Sequence, residues 1–340
     1  MDYRNILVIK LSAIGDVIHA LPAVHALRQS YPDARITWIV EKPSYDLLNN
    51  NPDIDQIMIF EKPKFKTLSG LWHNAPELSR LLKSNRFDLA IDFQGLFKSA
   101  AISLLSGTAQ RIGYCDMREL SQTISRPICG EHSKGHVVER YLDVIRGLTG
   151  RISEIRFPIH ITTEEIEQAI KIAQEAGLAA KTPYVILAPG TNWRTKCWPT
   201  EHYAALSDQL HQAGFGAVLV GGPGDKPLAQ DIQNRSQTKP IDLTGKTSLK
   251  QLAYMIKESV AFVGGDTGPM HLSVAVNTPA VALFGPTDPA RNGPYYGHNT
   301  ILRPQRPCIN CWRRKCEHIC LADIQPQTVF EAVIGLIRND

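Results

Sequence analysis

The sequence predicts an α/β protein made of two Rossmann-like halves, each with a parallel sheet. Three observations support this fold class. Short apolar runs rich in Val and Ile alternate with amphipathic runs, as in parallel strands joined by crossover helices. The alternation pauses at a long polar helix after Ile161 and then starts again. The chain has 340 residues, which suits two domains better than one.

In the first half, strands and helices follow one another from the amino end. The strand-like runs are NILVIKL, RITWIVE, QIMIFE and FDLAIDFQ, and the helical runs include VIHALPAVHALRQSYP and ELSRLLKSNR. Pro22 falls inside the first helical run, so we expect that helix to kink or to end there. We assign an N-terminal domain to residues 1–165.

The second half begins with the polar helix TTEEIEQAIKIAQEAGLAA and repeats the rhythm. Its strand-like runs are YVILAPG, GAVLVGG, AFVGGD and PAVALFG, and its helical runs are TEHYAALSDQLHQAG, LKQLAYMIKES and MHLSVAVN. We assign a C-terminal domain to residues 166–325, followed by the helical run PQTVFEAVIGLIRN within residues 326–340.

Composition limits the class of protein. Apolar residues make up 43% and charged residues 21%, as in a soluble globular chain, and no apolar run is long enough to span a bilayer. Asp2 and Arg4 precede the first strand directly, without a signal-peptide core, so we expect a cytoplasmic protein. The net charge of +4 does not indicate nucleic-acid binding, but it suits an anionic substrate or membrane surface.

The first strand-to-helix turn reads SAIGD, with a carboxylate where nucleotide-binding folds often place a phosphate loop. One interpretation makes Asp16 a helix N-cap, which is the better one for an isolated acid at a helix start. The other makes it a functional carboxylate, with Gly15 allowing close approach of the backbone.

Three turns of the second half carry groups suited to a phosphorylated ligand. APGTNWRTKCWP offers Thr191 and Lys196 to phosphate, unless it is a solvated basic loop. In LVGGPGDKP, Asp225 could accept from a ribose or adenine, or cap the helix that follows.

The turn GGDTGPMH is the most informative, because it follows a strand and opens a helix. Helix N-terminal amides beside a hydroxyl can hold a diphosphate. The candidate residues are Asp266, Thr267, Gly268 and His271. GxGxxG is missing after the first strand of either half, which disfavours a Rossmann dehydrogenase.

Four stretches, KLSAIGDVIHALPAV, DFQGLFKSA, PGTNWRTKCWP and GGDTGPMHLSVAVNTPAVALFGPTDP, occur in an order that resembles the ADP-heptose:lipopolysaccharide heptosyltransferases of glycosyltransferase family 9. The resemblance covers essentially the whole chain. Within the family, QGLFKSA and HVVERYLD are most similar to the heptosyltransferase I branch, whose members add the first heptose to a Kdo sugar of Kdo–lipid A.

The resemblance implies a GT-B fold, in which two Rossmann-like domains face a central cleft. The N-terminal domain would bind the acceptor and the C-terminal domain ADP-heptose, and the last helix is a candidate to pack back on the N-terminal domain. The reaction would be an inverting transfer from ADP-L-glycero-β-D-manno-heptose. Asp16 matches the general base, and Lys196 with the turn from Asp266 to His271 matches the diphosphate site. Thr191 and Asp225 lie in segments that match donor contacts.

The acceptor implied by the resemblance is anionic, so basic residues of the first half are candidates to bind it. These residues are Lys98, Arg111, Arg118 and Arg140, with Gly15 beside the base. Since the lipid stays in the membrane, we expect peripheral attachment to the inner face of the inner membrane, through basic and apolar residues such as those of KPKFKTLSGLW. A plain mobile loop is the alternative for that stretch.

The sequence has seven cysteines, and four of them form a C-x2-C-x4-C-x3-C cluster: Cys308, Cys311, Cys316 and Cys320. This spacing could hold a structural zinc, and reduced cysteines or a partial disulfide are equally open. No metal is expected in catalysis, where Lys196 and helix amides would replace it. The alternative functions are a family 9 transferase with another donor or acceptor, and a nucleotide-sugar binding protein without catalysis.

Overall fold

The structure is a computed structural model that describes residues 3–152, 154–305 and 310–338. The chain forms two compact units, Met1–His160 and Ile161–Asp340. The division falls before the predicted boundary at residue 165, because the polar helix that begins at Thr163 belongs as a whole to the second unit.

The first unit is a six-stranded parallel sheet flanked by helices. Its strands are β1 (Asn5–Ile9), β2 (Arg35–Glu41), β3 (Gln56–Phe60), β4 (Leu89–Asp92), β5 (Arg111–Tyr114) and β6 (Arg126–Ile128). Its helices are α1 (Ile14–Ser30), α2 (Tyr45–Leu48), α3 (Leu68–Ser84), α4 (Phe97–Leu105) and α5 (Val137–Thr149). The strand order is β3-β2-β1-β4-β5-β6, so β1 and β4 are neighbours although two strands separate them in sequence.

Helix α1 does not end at Pro22, which was one of the two expected outcomes, but continues through this residue to Ser30. Most of its residues are buried, and the helix packs against α5. Tertiary packing therefore outweighs the local cost of an internal proline.

Helix α3 is longer than predicted. The stretch KPKFKTLSGLW, for which a plain mobile loop was the alternative, forms a short 3-10 helix at Lys62–Phe65 and then the first turn of α3. Thr67 is the N-cap and accepts a hydrogen bond from the backbone N–H of Gly70 at 3.0 Å, which explains why the helix begins there.

The second unit repeats the plan of the first. Its strands are β7 (Tyr184–Ala188), β8 (Gly216–Leu219), β9 (Ile241–Asp242), β10 (Ala261–Gly265), β11 (Ala280–Leu283) and β12 (Asn299–Leu302). Its helices are α6 (Thr163–Glu175), α7 (Thr200–Gln212), α8 (Lys226–Arg235), α9 (Leu249–Lys257), α10 (Gly268–Ala275), α11 (Pro289–Asn292) and α12 (Pro326–Arg338). The parallel strands lie in the order β12-β11-β10-β7-β8-β9.

Helix α12 packs on α7 and the sheet of the second unit. Val329, Val333 and Leu336 are buried in the same apolar core as Leu206 and Leu283. The expectation that the last helix returns to the N-terminal domain stays a prediction.

Cys115 and Cys129 form a disulfide that joins the loop after β5 to the segment after β6. Sequence analysis did not pair them, because their approach depends on the pairing of β5 with β6 in the sheet. Within the described ranges, no helix is both long and apolar enough to cross a membrane.

Candidate active site

Each sheet has one point where the chain reverses its direction of travel across the strands. In the first sheet this point lies between β1 and β4, and in the second between β7 and β10. Open parallel sheets bind ligands outside the carboxyl ends of the strands at such points. Most of the sequence-predicted site residues lie in the loops that follow these four strands or in the first turns of the next helices.

Asp16 is the third residue of α1, after the end of β1, and it is half-buried. Its Oδ2 accepts a hydrogen bond from the backbone N–H of Ala13 at 3.3 Å. The expected N-cap position is therefore occupied by Ala13, and Asp16 supplies the back-bonding half of a capping box. Gly15 lies beside it within the first turn.

Lys98 and Arg118 lie near this edge of the first sheet. The Lys98 ammonium is 3.0 Å from Oε1 of Glu41 at the end of β2. The backbone N–H of Arg118 donates to the carbonyl of Gly95 at 2.9 Å, and the Arg118 side chain is exposed.

Arg140 and Arg111 have structural partners. Arg140 is 8% exposed and donates to Oδ2 of Asp116 at 2.8 Å and to the carbonyl of Gly135 at 2.9 Å. Arg111 is the first residue of β5, so it lies at the amino edge of the sheet, away from the other candidates. Its guanidinium donates to backbone carbonyls, and the structure does not bring it to the site.

Beneath the loops of the first unit lies a buried layer that sequence analysis missed. Lys10, 2% exposed, donates to the carbonyl of Phe93 at 3.1 Å and to the Tyr141 hydroxyl at 2.8 Å. Asp92 is fully buried at the end of β4, and burial raises the pKa of its carboxyl to about 6. Hydrogen bonds from Gly95 and Ser99 act in the opposite direction and lower this pKa. This layer holds the β4 loop in place.

The second unit has an ion cluster that bridges the loops after β7 and β10. The Lys196 ammonium lies 2.6 Å from Oδ2 of Asp266, and Nε2 of His271 lies 3.3 Å from Oδ1. Burial alone would raise the pKa of Asp266, but hydrogen bonds and charge from His271 and Lys196 hold it well below its usual range. The structure thus brings together three residues that the sequence predicted as one site.

Helix α10 begins directly after this cluster. Its N-cap is Thr267, whose side chain makes no capping hydrogen bond and instead donates to the carbonyl of Gly265 at 3.3 Å. The amides of its first turn, including that of Gly268, are therefore not capped by a side chain, as an anion site requires.

The loop after β7 has internal bonds of its own. The Thr191 hydroxyl donates to the carbonyl of Trp193 at 2.6 Å. The Lys196 ammonium lies 4.5 Å from the centre of the Trp193 ring, and the Arg314 guanidinium lies 4.9 Å from it. Sequence analysis gave no role to Trp193 or Arg314, whose contact depends on how the chain beyond β12 folds back. The ring and its two cations shape the surroundings of Lys196.

Asp225 closes the turn after β8. Its Oδ2 accepts a hydrogen bond from the backbone N–H of Gly222 at 2.8 Å, and a Cβ on Gly190 would collide with its carboxylate. Asp225 occupies the N-cap position of α8, but its side chain makes no capping hydrogen bond to that helix, so it stabilises the preceding turn instead. Contact of Asp225 with a ligand stays a prediction.

The cysteine cluster lies partly outside the described residues, since Cys308 is not among them. Cys311 and Cys316 are exposed and Cys320 is half-buried. Among the residues that the structure describes, no group of three or more His, Cys, Asp or Glu side chains is placed to hold a metal ion. A structural zinc therefore stays a prediction that depends on Cys308.

Comparison with known proteins gives consistent matches along most of the chain. The family model described as "Glycosyltransferase family 9 (heptosyltransferase)" matches residues 76–322. Lipopolysaccharide heptosyltransferase 3 of Escherichia coli is 29% identical over 296 residues, covering 81% of this chain and 80% of that protein. Lipopolysaccharide heptosyltransferase 1 of Pseudomonas aeruginosa is 27% identical over 328 residues, covering 92% and 88%.

The fold has a solved counterpart. The structure of E. coli ADP-heptose lps heptosyltransferase II is similar with a TM-score of 0.80 and 25% identity, covering 98% of this chain and 99% of that one. The fold class predicted from the sequence, GT-B with two Rossmann-like units, is confirmed.

Proposed function

This chain belongs to glycosyltransferase family 9, and from that premise we propose that it moves heptose from ADP-L-glycero-β-D-manno-heptose to a Kdo residue of Kdo–lipid A. As a member of the family it is a glycosyltransferase. The ion cluster of Lys196, Asp266 and His271 before an uncapped helix N-terminus is the observation that carries the donor side.

The donor assignment rests on the chemistry of that cluster. An ammonium has three N–H donors, and Lys196 uses two of them on the carboxylate and the carbonyl of Asp266. One donor is left for a phosphate oxygen, beside the first-turn amides of α10. Solved relatives include E. coli heptosyltransferase WaaC with ADP, which supports an adenine nucleotide as the leaving group. Thr191, Asp225, Thr267 and Gly268 complete the proposed donor site.

The proposed reaction is a displacement at the anomeric carbon of the heptose. Asp16 takes the proton from the acceptor hydroxyl while the new O–C bond forms on the face opposite ADP. The bond to the ADP oxygen breaks, and its electron pair stays on the diphosphate. Lys196 and the α10 amides stabilise that charge.

On the acceptor side we propose contacts from Gly15, Lys98, Arg118 and Arg140. Arg118 is the strongest of these, because its exposed guanidinium makes no ion pair with any residue that the structure describes. Lys98 and Arg140 already pair with Glu41 and Asp116, so an anionic acceptor would have to share them.

We further propose that the protein acts at the cytoplasmic face of the inner membrane. The support is a surface on the first unit where exposed Leu68 and Trp72 follow the lysines of the 3-10 helix Lys62–Phe65. Such a mixture of basic and apolar groups suits the interface of an anionic bilayer.

A family 9 transferase with another acceptor is the second candidate function. Relatives named heptosyltransferase 3 and heptosyltransferase 1 match at 29% and 27% identity, which favours neither acceptor over the other. The assay therefore offers ADP-heptose and ADP-hexose with Kdo–lipid A and with heptosylated Kdo–lipid A, and reads the products by mass spectrometry. A heptose added only to the heptosylated acceptor would contradict the Kdo assignment.

The base assignment is tested by Asp16→Asn and Asp16→Ala. We expect both to abolish turnover while binding of ADP-heptose by calorimetry stays near wild type. Asp16→Asn keeps an oxygen for the Ala13 N–H, so its loss of activity cannot be assigned to the capping bond. Lys196→Ala should instead weaken donor binding or lower the rate.

The control is Glu164→Gln, which neutralises an exposed acid in the first turn of α6 and should leave transfer unchanged. Near-normal transfer by Asp16→Asn would remove Asp16 as the base. No transfer by the wild-type protein, with ADP-heptose still bound, would support a binding protein without catalysis.

A further inference from the structure

The loop between β1 and α1 is held by both neighbouring strands. The backbone N–H groups of Leu11 and Ser12 donate to Oε1 of Gln94, at 3.0 and 3.1 Å. On the other side, the N–H of Glu41 at the end of β2 donates to the Leu11 carbonyl at 2.9 Å. One side chain, 83 residues from Leu11 in sequence, thus satisfies two consecutive N–H groups where β1 has ended.

The turn that carries Gln94 is itself held in place. Oδ1 of the buried Asp92 accepts from the N–H groups of Gln94 and Gly95, both at 2.9 Å, and Oδ2 accepts from the Ser99 hydroxyl at 2.8 Å. Gly95 has a φ of 63°, and a Cβ there would lie 2.6 Å from the Tyr114 ring. The backbone of the turn that carries the Gln94 side chain therefore has little freedom to move.

The orientation of the Gln94 carboxamide follows from its partners. Both are N–H donors, so the atom that faces them must be the oxygen. The amide nitrogen is left with its two N–H groups, and it donates to none of the residues that the structure describes. Gln94 is half-buried at the carboxyl edge of the first sheet, on the side where Asp16 lies.

We propose that Gln94 is a positioning residue for the transfer reaction, whose oxygen holds the Leu11–Ser12 backbone so that the Asp16 carboxylate stays aligned for the acceptor hydroxyl. The Asp16 carboxylate accepts from the N–H of Ala13, directly after this backbone, so a shift of the loop moves the base. The Gln94 nitrogen donates to an oxygen of the acceptor. This proposal rests on the proposed function, because it takes Asp16 as the base.

Two variants together distinguish the oxygen of the carboxamide from its nitrogen. Gln94→Met keeps the length but removes both the oxygen and the N–H donors, and we expect kcat to fall on the order of 100-fold, since a small misplacement of a reacting group can cost that much. The KM for ADP-heptose should not change. Gln94→Glu keeps an oxygen for both N–H groups, so kcat should stay near wild type, whereas the KM for the anionic acceptor should rise because the N–H donors are lost.

Amide hydrogen exchange tests the same contact without any substrate. Exchange at Leu11 and Ser12 should be faster in Gln94→Met and unchanged in Gln94→Glu. The matched control is Gln56→Met, which removes a glutamine at the amino edge of the same sheet and should alter neither exchange at these residues nor kcat. If Gln94→Met does not fold, Gln94→Asn is used instead, because its shorter side chain moves the oxygen away from the two N–H groups by one methylene. The same faster exchange at Leu11 and Ser12 and the same loss of kcat are then expected.

The outcomes keep this proposal apart from the proposed function. If the wild-type protein transfers no heptose, the proposed function fails, while the exchange result still tests the hold on the loop. Unchanged exchange in Gln94→Met, or an equal loss of kcat in Gln94→Met and Gln94→Glu, would overturn the positioning role.

Discussion

At the scale of the residue, Asp266 is a buried carboxyl group that depends on two other side chains of the second unit. It is 7% exposed and pairs with the ammonium of Lys196 and the imidazole of His271. Buried charges add little net stability over apolar residues of the same volume, but removing one partner is costly. We infer that the cluster serves the ligand, since apolar side chains would fill the same place at no loss of stability.

Asp266→Asn should lower the free energy of unfolding by about 3 kcal/mol at neutral pH, because it leaves Lys196 and His271 beside a neutral amide. The pKa of Asp266 is lower in the folded chain than in the unfolded one, so its contribution exists above the unfolded pKa of about 4 and is lost as the pH falls below it. Urea unfolding at several pH values measures this. The gap between wild type and variant should be present at neutral pH and narrow in acid.

The control for Asp266→Asn is Glu175→Gln, which breaks an exposed pair with Lys171 on α6. It should change the free energy of unfolding by less than about 0.5 kcal/mol. Equal effects of the two substitutions would contradict the cost assigned to the buried cluster.

At the scale of the element, α3 changes its surroundings along its length. Leu82, near its end, is fully buried, and Leu78 packs on the core of the first unit. The helical period places Leu68, Leu71 and Trp72 on the same face, one turn after another towards the start. There the core has ended, and Leu68 is 86% and Trp72 83% exposed. This apolar face is therefore exposed at the start of α3, as the proposed membrane contact requires.

The double variant Leu68→Ser, Trp72→Ser should bind vesicles of phosphatidylcholine and phosphatidylglycerol on the order of tenfold more weakly, since each buried apolar side chain contributes roughly 1.5–3 kcal/mol when fully inserted and less at an interface. Co-sedimentation measures the bound fraction. Wild-type binding should also weaken in high salt, because the lysines before α3 act through charge.

Leu81→Ser is the matched control, since Leu81 is an exposed leucine of the same helix, 51% accessible, on another face. It should leave vesicle binding unchanged. Binding of wild type to pure phosphatidylcholine as strong as to the anionic mixture would rule out the electrostatic part of this surface.

At the scale of the whole molecule, the two units share one strand order and divide the proposed chemistry between them. Read from β9, the second sheet runs β9-β8-β7-β10-β11-β12, which is the order of the first sheet. The first unit places a carboxylate at its reversal point and the second an ion cluster. A similar plan thus carries different side chains, as is common when function resides in loops on a shared fold.

We propose that no divalent metal takes part in transfer. The acidic pair Asp53 and Asp55, whose spacing could suggest a metal ligand set, is occupied by His25 at 2.8 Å and by Arg28. Heptose transfer should therefore proceed at the same rate in excess EDTA. A loss of rate that Mg²⁺ or Mn²⁺ restores would contradict this, and metal analysis of the purified protein tests the separate expectation of a structural zinc at the cysteine cluster.

Several features of the fold and the site follow from local sequence. Most predicted strands lie within a few residues of the observed ones, because the apolar runs and their turn signals are local properties. The stretch GGDTGPMH predicts the start of α10 and places Asp266 and His271 in one site, since both residues lie within about one turn of the same helix start. The extents of α1 and α3 differ from the prediction, because α1 continues through Pro22 within a buried helix and α3 begins at the Thr67 cap, before its apolar residues reach the core.

The sequence by itself determined the fold class, the family and the turns that carry Asp16, Lys196 and Asp266. Only the tertiary structure decided which turns meet. Gln94 reaches Leu11 across 83 residues and Lys196 reaches Asp266 across 70, because β4 pairs with β1 and β10 with β7. Hydrophobic periodicity and helix capping act over a few residues. Strand order is instead set by how helices cover both faces of a sheet, so it cannot be predicted from a local sequence pattern.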